Sequence, residues 1–471
     1  MLSNLNGKAG VARSDSQRFD VLIVGGGASG TALLYMLAKY TSIPSIALLE
    51  KYPAAGSVNS NARNNSQTLH IGEIETNYSM EKAQQVYSGA MMVKQYADSL
   101  PRERTDRILR QVQKMVLGVG HAEVAVLEER FAPLRHIFPF LQKLDADGIA
   151  RAEPEVMRGR SEGEPVLALF NPEGYAVDYG ALAASFVADA APRAGIETHF
   201  NTEVHAVEPQ DDGYLVRTSK GAMHARVVVF DTDSYSLGFA KKLGYGKEYS
   251  LIPIAGSFYF TRQLLKGKVY RVQDPRMPFA AVHGDPELTQ EGKTRWGPTA
   301  RFYPVLEARK FSTMPAFFTS SGFERIQTWI SFLSILLDPV RFWYLLRNLF
   351  YDIPYLGPRF LLPQLRRIVP TLRASEIVRA HGYGGMRLQR VDTRSRQLLL
   401  GEGKIIGRNI IFNMSPSPGA SVCLYNASRD ADQIITFLPE YAFEKERMLA
   451  DLCVTGIYAG SDPSLEHSYA S

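Results

Sequence analysis

Residues 19–30 of the chain read FDVLIVGGGASG, an apolar run that ends in a cluster of glycines. The apolar run predicts a buried β-strand, and the residues after the glycines predict a helix from about Ser29 to Tyr40. A second apolar strand, SIALLE, then ends at Glu50. Because a strand, a tight turn, a helix and a second strand make a βαβ unit, the chain is predicted to contain a Rossmann-like parallel sheet.

The glycine turn has the spacing of a dinucleotide-binding fingerprint. Gly25 permits the tight turn, Gly27 lets a pyrophosphate approach the backbone, and Gly30 allows the helix to pack closely on the strand. The helix N-terminus then faces the phosphates, and Glu50 is placed to accept a hydrogen bond from a ribose hydroxyl. The other cofactor contacts predicted in this unit are Ala28, Ser29 and Lys51.

Two later segments favour FAD as the dinucleotide. The chain has one glycine fingerprint and not two, which argues against an enzyme that binds both FAD and NAD. A strand around Val204 is predicted to meet the adenine through its backbone. The segment SPSPGAS, residues 415–421, is predicted to open a helix whose free backbone N–H groups face the flavin. Its predicted contacts are Ser417, Pro418, Gly419 and Ala420.

Composition sets broad limits on the rest of the chain. A length of 471 residues predicts two to four domains, and 45% hydrophobic with 21% charged residues is typical of a globular protein. The net charge of +5 comes from scattered basic residues, which gives nucleic-acid binding little support. Cys423 and Cys453 show no metal or disulfide spacing, so a reducing, cytoplasmic compartment is expected. The N-terminus lacks the apolar core of a signal peptide.

The order of elements predicts an α/β (α+β composite) fold. A Rossmann-like FAD-binding domain, made of residues 19–78, 151–235 and 375–440, is expected to enclose an inserted substrate domain of mixed β-sheet and helices, residues 236–374. Residues 79–150 are predicted to be a helical segment that starts with a long helix from about Met80 to Met115. The last strand is predicted in IIGRNIIFNM, residues 405–414.

The sequence resembles the malate:quinone oxidoreductases, which are FAD enzymes of the D-amino-acid-oxidase-like superfamily. The resemblance is carried by GGGASG and by SVNSNARNNSQTLHIGEIETNYS. In the second segment an asparagine-rich run leads to a histidine, which is followed by Glu75, Asn77 and Tyr78. Further matches follow in the same order: FNPEGYAVDYG, MPFAAVHGD, RWGPTARF, MRLQRVD and SPSPGAS. The chain departs from the family where Arg63 replaces a usual Trp and where residues 66–69 replace an A-G-T-G run.

The resemblance implies roles for particular residues. Residues 59–70 are expected to wrap the flavin, with Ser60, Asn61, Asn64 and Asn65 among the cofactor contacts. His283 is the first candidate for the base that takes a hydroxyl proton, because histidine titrates near neutrality and MPFAAVHGD matches an active-site element. His70 is the second candidate. The remaining predicted site residues are Asp285, which would orient His283, and the carboxylate-binding Arg387 and Arg301.

The most apolar part of the chain is residues 326–354. Asp338 and Pro339 predict an N-cap and a first helical residue, which would split this segment into two short helices. Arg325, Arg341 and Arg347 interrupt its apolar faces. Such a hairpin suits either a helical cover over the core or a pair of helices that lie in the headgroup plane of a membrane.

The preferred prediction is a peripheral enzyme on the inner face of the cytoplasmic membrane. It would use FAD to oxidise L-malate to oxaloacetate, with a small dicarboxylate as substrate, a quinone as electron acceptor and no nucleic acid partner. The same residues leave alternatives open: oxidation of L-2-hydroxyglutarate or an amino acid with oxygen as acceptor, oxidation of a lipid-like substrate, or a flavin-binding protein without activity.

Overall fold

The computed structural model describes residues 17–72, 78–273, 282–399 and 402–453, so Glu75 and Asn77 lie outside the described residues. The strands are β1 Arg18–Val24, β2 Ile46–Leu49, β3 Leu109–Gln111, β4 Lys114–Val119, β5 Gln142–Leu144, β6 Val166–Asn171, β7 Tyr175–Val177, β8 Ile196–His199, β9 Val204–Gln210, β10 Gly213–Thr218, β11 Gly221–Phe230, β12 Tyr249–Ala255, β13 Tyr259–Arg262, β14 Lys268–Arg271, β15 His283–Pro286, β16 Lys293–Gly297, β17 Arg301–Phe302, β18 Val378–Arg379, β19 Met386–Asp392, β20 Gln397–Leu399, β21 Gly403–Gly407 and β22 Ile410–Met414.

The α-helices alternate with these strands along most of the chain. They are α1 Ala28–Tyr40, α2 Met80–Asp98, α3 Arg102–Ile108, α4 His121–Ile137, α5 Ala146–Ala152, α6 Pro154–Met157, α7 Tyr179–Ala190, α8 Ser236–Lys242, α9 Met314–Ser321, α10 Ile326–Leu336, α11 Pro339–Tyr351, α12 Gly357–Arg366, α13 Cys423–Phe437 and α14 Lys445–Leu452.

The predicted βαβ unit forms the centre of a parallel sheet. β1 pairs in parallel with β2 and β11, β2 pairs with β8, and β11 pairs with β22. Val21 and Ile23 of β1 are buried in the cluster formed with α1, α2, α7 and α13, whereas Leu22 and Val24 are buried on the opposite face. Because both faces of the strand are covered, it reads as a continuous apolar run, and the predicted α/β composite fold is confirmed.

The glycine turn between β1 and α1 is closely packed. Gly25 has a φ of +113°, and a Cβ atom there would lie 2.4 Å from the carbonyl oxygen of Asp231. A Cβ atom on Gly30 would lie 2.0 Å from the carbonyl oxygen of Gly25. These two positions therefore require glycine, and they bring the start of α1 against the strand ends.

Beside a two-stranded sheet of β3 and β7, two larger sheets lie in the rest of the described residues. One has the order β18-β13-β16-β15-β14-β4-β6-β5 and the other β17-β12-β19-β20. β4 and β6 belong to the first of these sheets. The sequence instead predicts the residues of β4 in the helical segment and those of β6 in the FAD-binding domain. Their residues pair with β14 and with each other, because Met115 and Leu117 of β4 must be buried. The domain boundaries as such stay a prediction.

Two predicted elements are wrong in detail, each for a local reason. The long helix from Met80 ends at Asp98, because Pro101 prevents its continuation, and the chain then forms the short helix α3. The single strand predicted over residues 405–414 is a hairpin of β21 and β22. Its turn includes Asn409 with a φ of +53°, a conformation that asparagine tolerates better than most residues.

The apolar segment folds as the predicted pair of helices, α10 and α11. Asp338 caps α11 by accepting a hydrogen bond from the backbone N–H of Arg341 at 3.0 Å, and Pro339 is its first residue. Within the described residues no single helix is long and apolar enough to cross a bilayer. Among the helices that the structure describes, α10 and α11 taken together reach that length, and they are bent by 81°.

Large apolar side chains of α10, α11 and α12 and their connections are exposed. We call them the outer apolar surface: Ile326, Trp329, Ile330, Leu333, Leu337, Val340, Phe342, Trp343, Leu349, Phe350, Tyr355, Leu356 and Phe360. A contiguous set of this kind is unusual for a monomeric soluble protein and indicates an interaction surface.

Candidate active site

A cleft at the carboxyl ends of the parallel strands gathers most of the predicted site residues. We call it the main cleft. Such an edge is where open α/β sheets bind their ligands, because the loops that follow the strands diverge there. The predicted residues that line it are Gly25, Gly27, Ala28, Ser29, Glu50, Lys51, Ser60, Asn64, Asn65, His70, Val204, Arg387, Ser417, Pro418 and Ala420.

Six predicted residues do not line the main cleft. Gly30 packs against the glycine turn, Asn61 accepts a hydrogen bond from the backbone N–H of Arg63 at 3.1 Å, and a Cβ on Gly419 would lie 2.7 Å from the Ser415 carbonyl oxygen. These three therefore shape the loops behind the cleft. The other three are His283, Asp285 and Arg301, which lie in the strands of the second and third sheets.

The start of α1 is open toward the main cleft. The N-cap residue Gly27 has no side chain to cap the helix, and the first turn contains no acidic residue. The backbone N–H of Ala28 donates to the Ser60 hydroxyl at 2.9 Å. A Cβ on Gly27 would meet only that hydroxyl, at 3.3 Å. An uncapped helix N-terminus beside such open space suits an anionic phosphate group.

Glu50 holds the turn as well as facing the cleft. One carboxylate oxygen accepts the backbone N–H of Gly26 at 2.7 Å, and the other accepts that of Tyr52 at 2.9 Å. Each carboxylate oxygen has a second lone pair, so these bonds leave capacity for the ribose hydroxyl that the sequence predicts.

Lys51 is engaged by a carboxylate that sequence reasoning missed. Its ammonium forms an ion pair with Glu307 and lies 4.1 Å from the centre of the Tyr235 ring. Tyr235 also donates to Glu307 at 2.6 Å, and Tyr52 donates to the other carboxylate oxygen. Burial opposes the charge of Glu307, but Lys51 and the tyrosine hydroxyls outweigh it, so the pKa of Glu307 is lowered. This cluster joins Glu307, which follows β17 in the chain, to Lys51 at the end of the cleft where the nucleotide is predicted to bind.

A buried carboxyl pair lies behind the glycine turn. The Asn413 amide donates to Asp231 at 3.0 Å and to Asp430 at 2.7 Å. Burial, together with the neighbouring charge of Asp430, raises the pKa of Asp231 to about 7. One oxygen of Asp231 has no hydrogen-bond partner among the described residues. Because Asp231 lines the main cleft, a ligand group there can satisfy it.

The side chains of the asparagine-rich loop, residues 59–70, mainly form hydrogen bonds with the backbone near or within the loop. The Asn65 amide donates to the carbonyl oxygens of Asn59 and Asn61, and the Asn64 amide donates to that of Val58. Asn59 reaches further, because its amide donates to Asp233 at 3.0 Å and its oxygen accepts the backbone N–H of residue 386 at 3.3 Å. These side chains therefore fix the backbone that lines the cleft and join it to the start of β19.

Arg387 is the cation that faces the main cleft without a carboxylate. β19 pairs with β12, and Arg387 lies opposite Ile254 in that register. The guanidinium is half-buried, and no carboxylate of the described residues forms an ion pair with it. Burial lowers its pKa, although an arginine remains a cation at any physiological pH. A desolvated guanidinium of this kind is suited to bind an anionic ligand.

His70 lines the same cleft and is neutral. Burial, together with the cations Lys114, Arg387 and Lys268, lowers its pKa to about 3. Its Nδ1 lies 2.7 Å from the Ser421 hydroxyl, which lies 2.6 Å from the Tyr179 hydroxyl. Both hydroxyls can donate to the Thr68 carbonyl oxygen, at 3.1 and 2.6 Å. If both hydroxyls donate to Thr68, the Ser421 oxygen accepts from Nδ1, and the lone pair of the imidazole is then on Nε2.

Tyr270 separates His283 from the asparagine-rich loop. It is buried in β15, and its ring lies 4.5 Å from that of Tyr270, whose hydroxyl contacts Thr68 at 2.5 Å. Asp285 lies two residues further along β15 and forms ion pairs with Lys268 at 3.0 Å and Arg295 at 2.7 Å. The role of His283 as base, and of Asp285 as its orienting group, stays a prediction.

The cations around Asp285 support the loop. Lys268 donates to the carbonyl oxygen of Ser66 at 2.6 Å, and Arg295 donates to that of Asn65 at 3.1 Å. Burial alone would raise the pKa of Asp285, but Arg295 and Lys268 outweigh it and lower the pKa to about 2. The stabilisation from this carboxylate is therefore present above its ordinary pKa of 3.8 and is lost as the pH falls through about 2.

We expect Asp285→Asn to destabilise the protein by about 3 kcal/mol, because it removes the negative charge paired with the buried Lys268 and leaves the buried Arg295 paired with Glu287. The measurement is the urea midpoint at neutral pH. Glu103→Gln removes one partner of an exposed ion pair with Arg107 and should cost less than about 1 kcal/mol. Equal effects of the two substitutions would contradict the role assigned to the buried cluster.

Arg301 is paired within its own sheet region. Its guanidinium lies 3.4 Å from a carboxylate oxygen of Asp352 and 4.6 Å from the centre of the Tyr303 ring. Arg379 binds the other oxygen of Asp352 at 3.0 Å. A substrate carboxylate would have to compete with Asp352 for Arg301, whereas Arg387 has no such competitor among the described residues.

Comparison with known proteins agrees with this geometry. The sequence profile of the FAD-dependent oxidoreductases matches residues 20–422 of the chain. The probable malate:quinone oxidoreductase of Campylobacter jejuni is 38% identical over 434 residues, which are 90% of this chain and 96% of that protein. The chain belongs to the malate:quinone oxidoreductase family. The predicted resemblance and the predicted cofactor, FAD, are thereby confirmed.

The chain is also similar to more distant proteins. The mitochondrial L-2-hydroxyglutarate dehydrogenase of Homo sapiens is 25% identical over 448 residues, which are 90% of each chain. The crystal structure of glycine oxidase from Geobacillus kaustophilus superposes with a TM-score of 0.61 over 89% of this chain and 95% of that one, at 19% identity. That superposition shows a shared fold.

The residues of this family member fit FAD at the main cleft. The uncapped start of α1 and the open side of Gly27 suit the pyrophosphate, and the unpartnered oxygen of Asp231 needs a ligand. Sequence reasoning missed Asp231, Glu307, Tyr179 and Ser421. Ser421 ends the SPSPGAS motif and Tyr179 lies in FNPEGYAVDYG, so both were within reach of the sequence. Asp231 and Glu307 lie in no quoted motif, and their roles depend on neighbours distant in the chain.

Proposed function

We propose that this protein oxidises L-malate to oxaloacetate, with FAD in the main cleft and a quinone as the electron acceptor. The observation that carries the proposal is Arg387, a half-buried guanidinium that faces the cleft beside His70 without a carboxylate partner among the described residues. The name of the Campylobacter jejuni relative supports malate as the acid and a quinone as the acceptor.

The cofactor would lie along the cleft from the adenosine end to the flavin end. Glu50 and the backbone near Val204 would hold the adenosine, and the start of α1 at Gly27 would hold the pyrophosphate. The loop at Asn64 and the turn at Ser417 would surround the flavin. Bound FAD supplies a two-electron acceptor for the hydrogen on the carbon that bears the hydroxyl group.

Arg387 would bind the carboxylate next to the reacting hydroxyl. A guanidinium forms two parallel hydrogen bonds with a carboxylate, which fixes both the position and the rotation of the substrate. Burial strengthens this contact, because water competes poorly for a desolvated cation. A small hydroxy acid would thus be held with its reacting carbon toward the flavin end of the cleft.

His70 would take the hydroxyl proton on Nε2. A pKa of about 3 makes the free protein's imidazole neutral at physiological pH, which is the form that can accept a proton. A substrate with two carboxylates would offset the cations Arg387, Lys114 and Lys268 and raise the pKa of the imidazole. Ser421 would then hold Nδ1 and keep Nε2 toward the substrate.

The proposal is tested by anaerobic mixing of the purified, FAD-loaded protein with a panel of acids. L-malate is expected to bleach the flavin absorbance, and L-2-hydroxyglutarate, amino acids and neutral amphiphiles are expected to bleach it far more slowly. Bleaching by L-2-hydroxyglutarate or an amino acid in preference to malate would replace the substrate assignment. A flavin that none of these acids reduces would contradict the proposed oxidation of an acid at this site.

We further propose that the outer apolar surface rests on the membrane that holds the quinone. It lies on helices that are too short to span a bilayer singly, and Arg325 and Arg341 border its apolar faces, as in helices that lie in the headgroup plane. A lipid-soluble acceptor would reach the protein from this side.

We expect Leu333→Gln combined with Leu337→Gln to weaken binding to anionic phospholipid vesicles about 30-fold. Both side chains are at least half exposed, and losing their burial in lipid costs about 2 kcal/mol. Sedimentation with vesicles measures the effect. Val378→Gln, which changes an exposed valine outside these helices, is the matched control. Unchanged sedimentation of the double variant would contradict membrane contact through this surface.

A further inference from the structure

A second cavity lies beneath the outer apolar surface. Its volume is about 750 Å³, and it lies between α11, α12 and the ends of β14 and β15. It is separate from the main cleft, and no predicted site residue lines it. The cavity therefore offers space for a ligand other than those that we place in the main cleft.

The outer rim of this cavity is apolar and belongs to the outer apolar surface. Val340 and Trp343 of α11 line the cavity and are also 37% and 66% exposed. The cavity is thus continuous with the surface that we propose to contact the membrane. A ligand with an apolar tail could enter here without leaving the lipid phase.

Two residues that line the inner wall of the cavity, Tyr351 and Arg271, carry buried hydrogen-bond donors. Tyr351 is only 2% exposed, and its hydroxyl has no hydrogen-bond partner among the described residues. Arg271 donates to Gln364 at 2.7 Å and to Glu123 at 3.2 Å, while its Nε also lacks a partner there. Buried donors of this kind are costly to leave unpaired, so the wall suits a ligand that accepts hydrogen bonds.

Tyr344 connects this cavity to the main cleft. Its side chain lines the cavity, and it lies within electrostatic reach of Arg387, which lines the main cleft. Burial raises the pKa of Tyr344 to about 12, while the nearby cations Arg347 and Arg387 oppose that rise. The phenol therefore stays protonated, and Tyr344 lies near Arg387 of the main cleft while it lines the second cavity.

We propose that this second cavity binds the ring of a quinone, with the Tyr351 hydroxyl donating to one ring carbonyl and Trp343 contacting the tail. A quinone ring accepts hydrogen bonds only, which matches the donors of the inner wall, and its tail matches the apolar rim. The inference rests on the proposed function, because it identifies the site at which the electrons leave.

The reaction balances with no further reagent. Malate loses the hydrogen of its reacting carbon with two electrons and loses its hydroxyl proton, and the quinone gains two electrons and two protons. Both carbonyl groups of the ring become hydroxyl groups, and the cofactor returns to its oxidised form. The products are therefore oxaloacetate and a hydroquinone. The two hydrogens that malate loses equal the two that the quinone gains.

The test separates the two halves of the reaction. The holoenzyme is first reduced anaerobically with one equivalent of dithionite, so that the result does not depend on malate, and is then mixed with a short-chain ubiquinone analogue. Stopped-flow absorbance follows flavin reoxidation at several quinone concentrations. Tyr351→Phe removes one donor, and Val340→Trp fills the rim of the cavity.

Both variants are expected to raise the quinone concentration for half-maximal reoxidation at least tenfold. Their flavin content and their bleaching by malate should remain those of the wild type, which shows that they fold. Trp343→Leu should weaken quinone use more than Trp329→Leu, because both tryptophans are exposed but only Trp343 lines the cavity.

Two results would overturn the assignment. Wild-type quinone dependence in both Tyr351→Phe and Val340→Trp would show that the quinone binds elsewhere. A Val340→Trp variant that needs more malate for bleaching, with normal reoxidation, would show that the cavity belongs to the acid. If malate fails to bleach the wild type while quinone still reoxidises the dithionite-reduced enzyme, only the malate assignment is lost.

Discussion

Gly27→Val is expected to yield a folded protein that purifies without colour. Gly27 has a φ of −75°, which any residue can adopt, and a Cβ there would meet only the Ser60 hydroxyl, at 3.3 Å. The protein can therefore accommodate the substitution. The two added methyl groups would project into the main cleft at the uncapped start of α1, where we place the pyrophosphate.

The measurement is the visible absorbance of the purified variant after incubation with excess FAD, beside its circular dichroism spectrum. Gly30→Ala is the opposite control, because its Cβ would lie 2.0 Å from the Gly25 carbonyl oxygen and should disrupt the fold itself. A Gly27→Val protein that holds one FAD per chain would contradict the placement of the cofactor.

Arg387→Lys is expected to weaken malate binding by about 2 kcal/mol, or roughly 30-fold, while the flavin stays bound. Lysine keeps the positive charge at this position, so the loss reports the paired hydrogen bonds of the guanidinium rather than its charge. Arg387→Met removes both and should bind malate more weakly still. The variants therefore separate geometry from electrostatics at the same position.

Spectral titration with malate measures this effect, and the exposed Arg107→Lys serves as the control. Arg301→Lys gives the decisive comparison, because Arg301 is the other predicted carboxylate ligand but is paired with Asp352. If Arg301→Lys weakens malate binding and Arg387→Lys does not, the two arginines must exchange roles in the proposed site.

Local patterns in the sequence were sufficient for the nucleotide half of the fold. A strand, a glycine turn and a helix are adjacent in the chain, and the constraint on Gly30 comes from the carbonyl oxygen of Gly25 in the same turn. The cap of α11 at Asp338 was predictable for the same reason, because a cap joins residues only three positions apart.

Sheet membership was less predictable. β4 pairs in parallel with β14, more than a hundred positions further along the chain, so its place could not be inferred from nearby residues. The turn at Asn409 was a local signal that was overlooked, since a turn residue within an apolar run indicates a hairpin.

The sequence by itself determined the cofactor class, the family and the residue types that a hydroxy-acid oxidoreductase needs. Only the tertiary structure decided which histidine and which arginine face the cleft: His70 and Arg387 line it, whereas His283 lies behind Tyr270 and Arg301 is paired with Asp352. The physical reason is that a side chain's freedom to bind a ligand depends on whether a neighbour already satisfies it. Those neighbours come from strands that are distant in the chain.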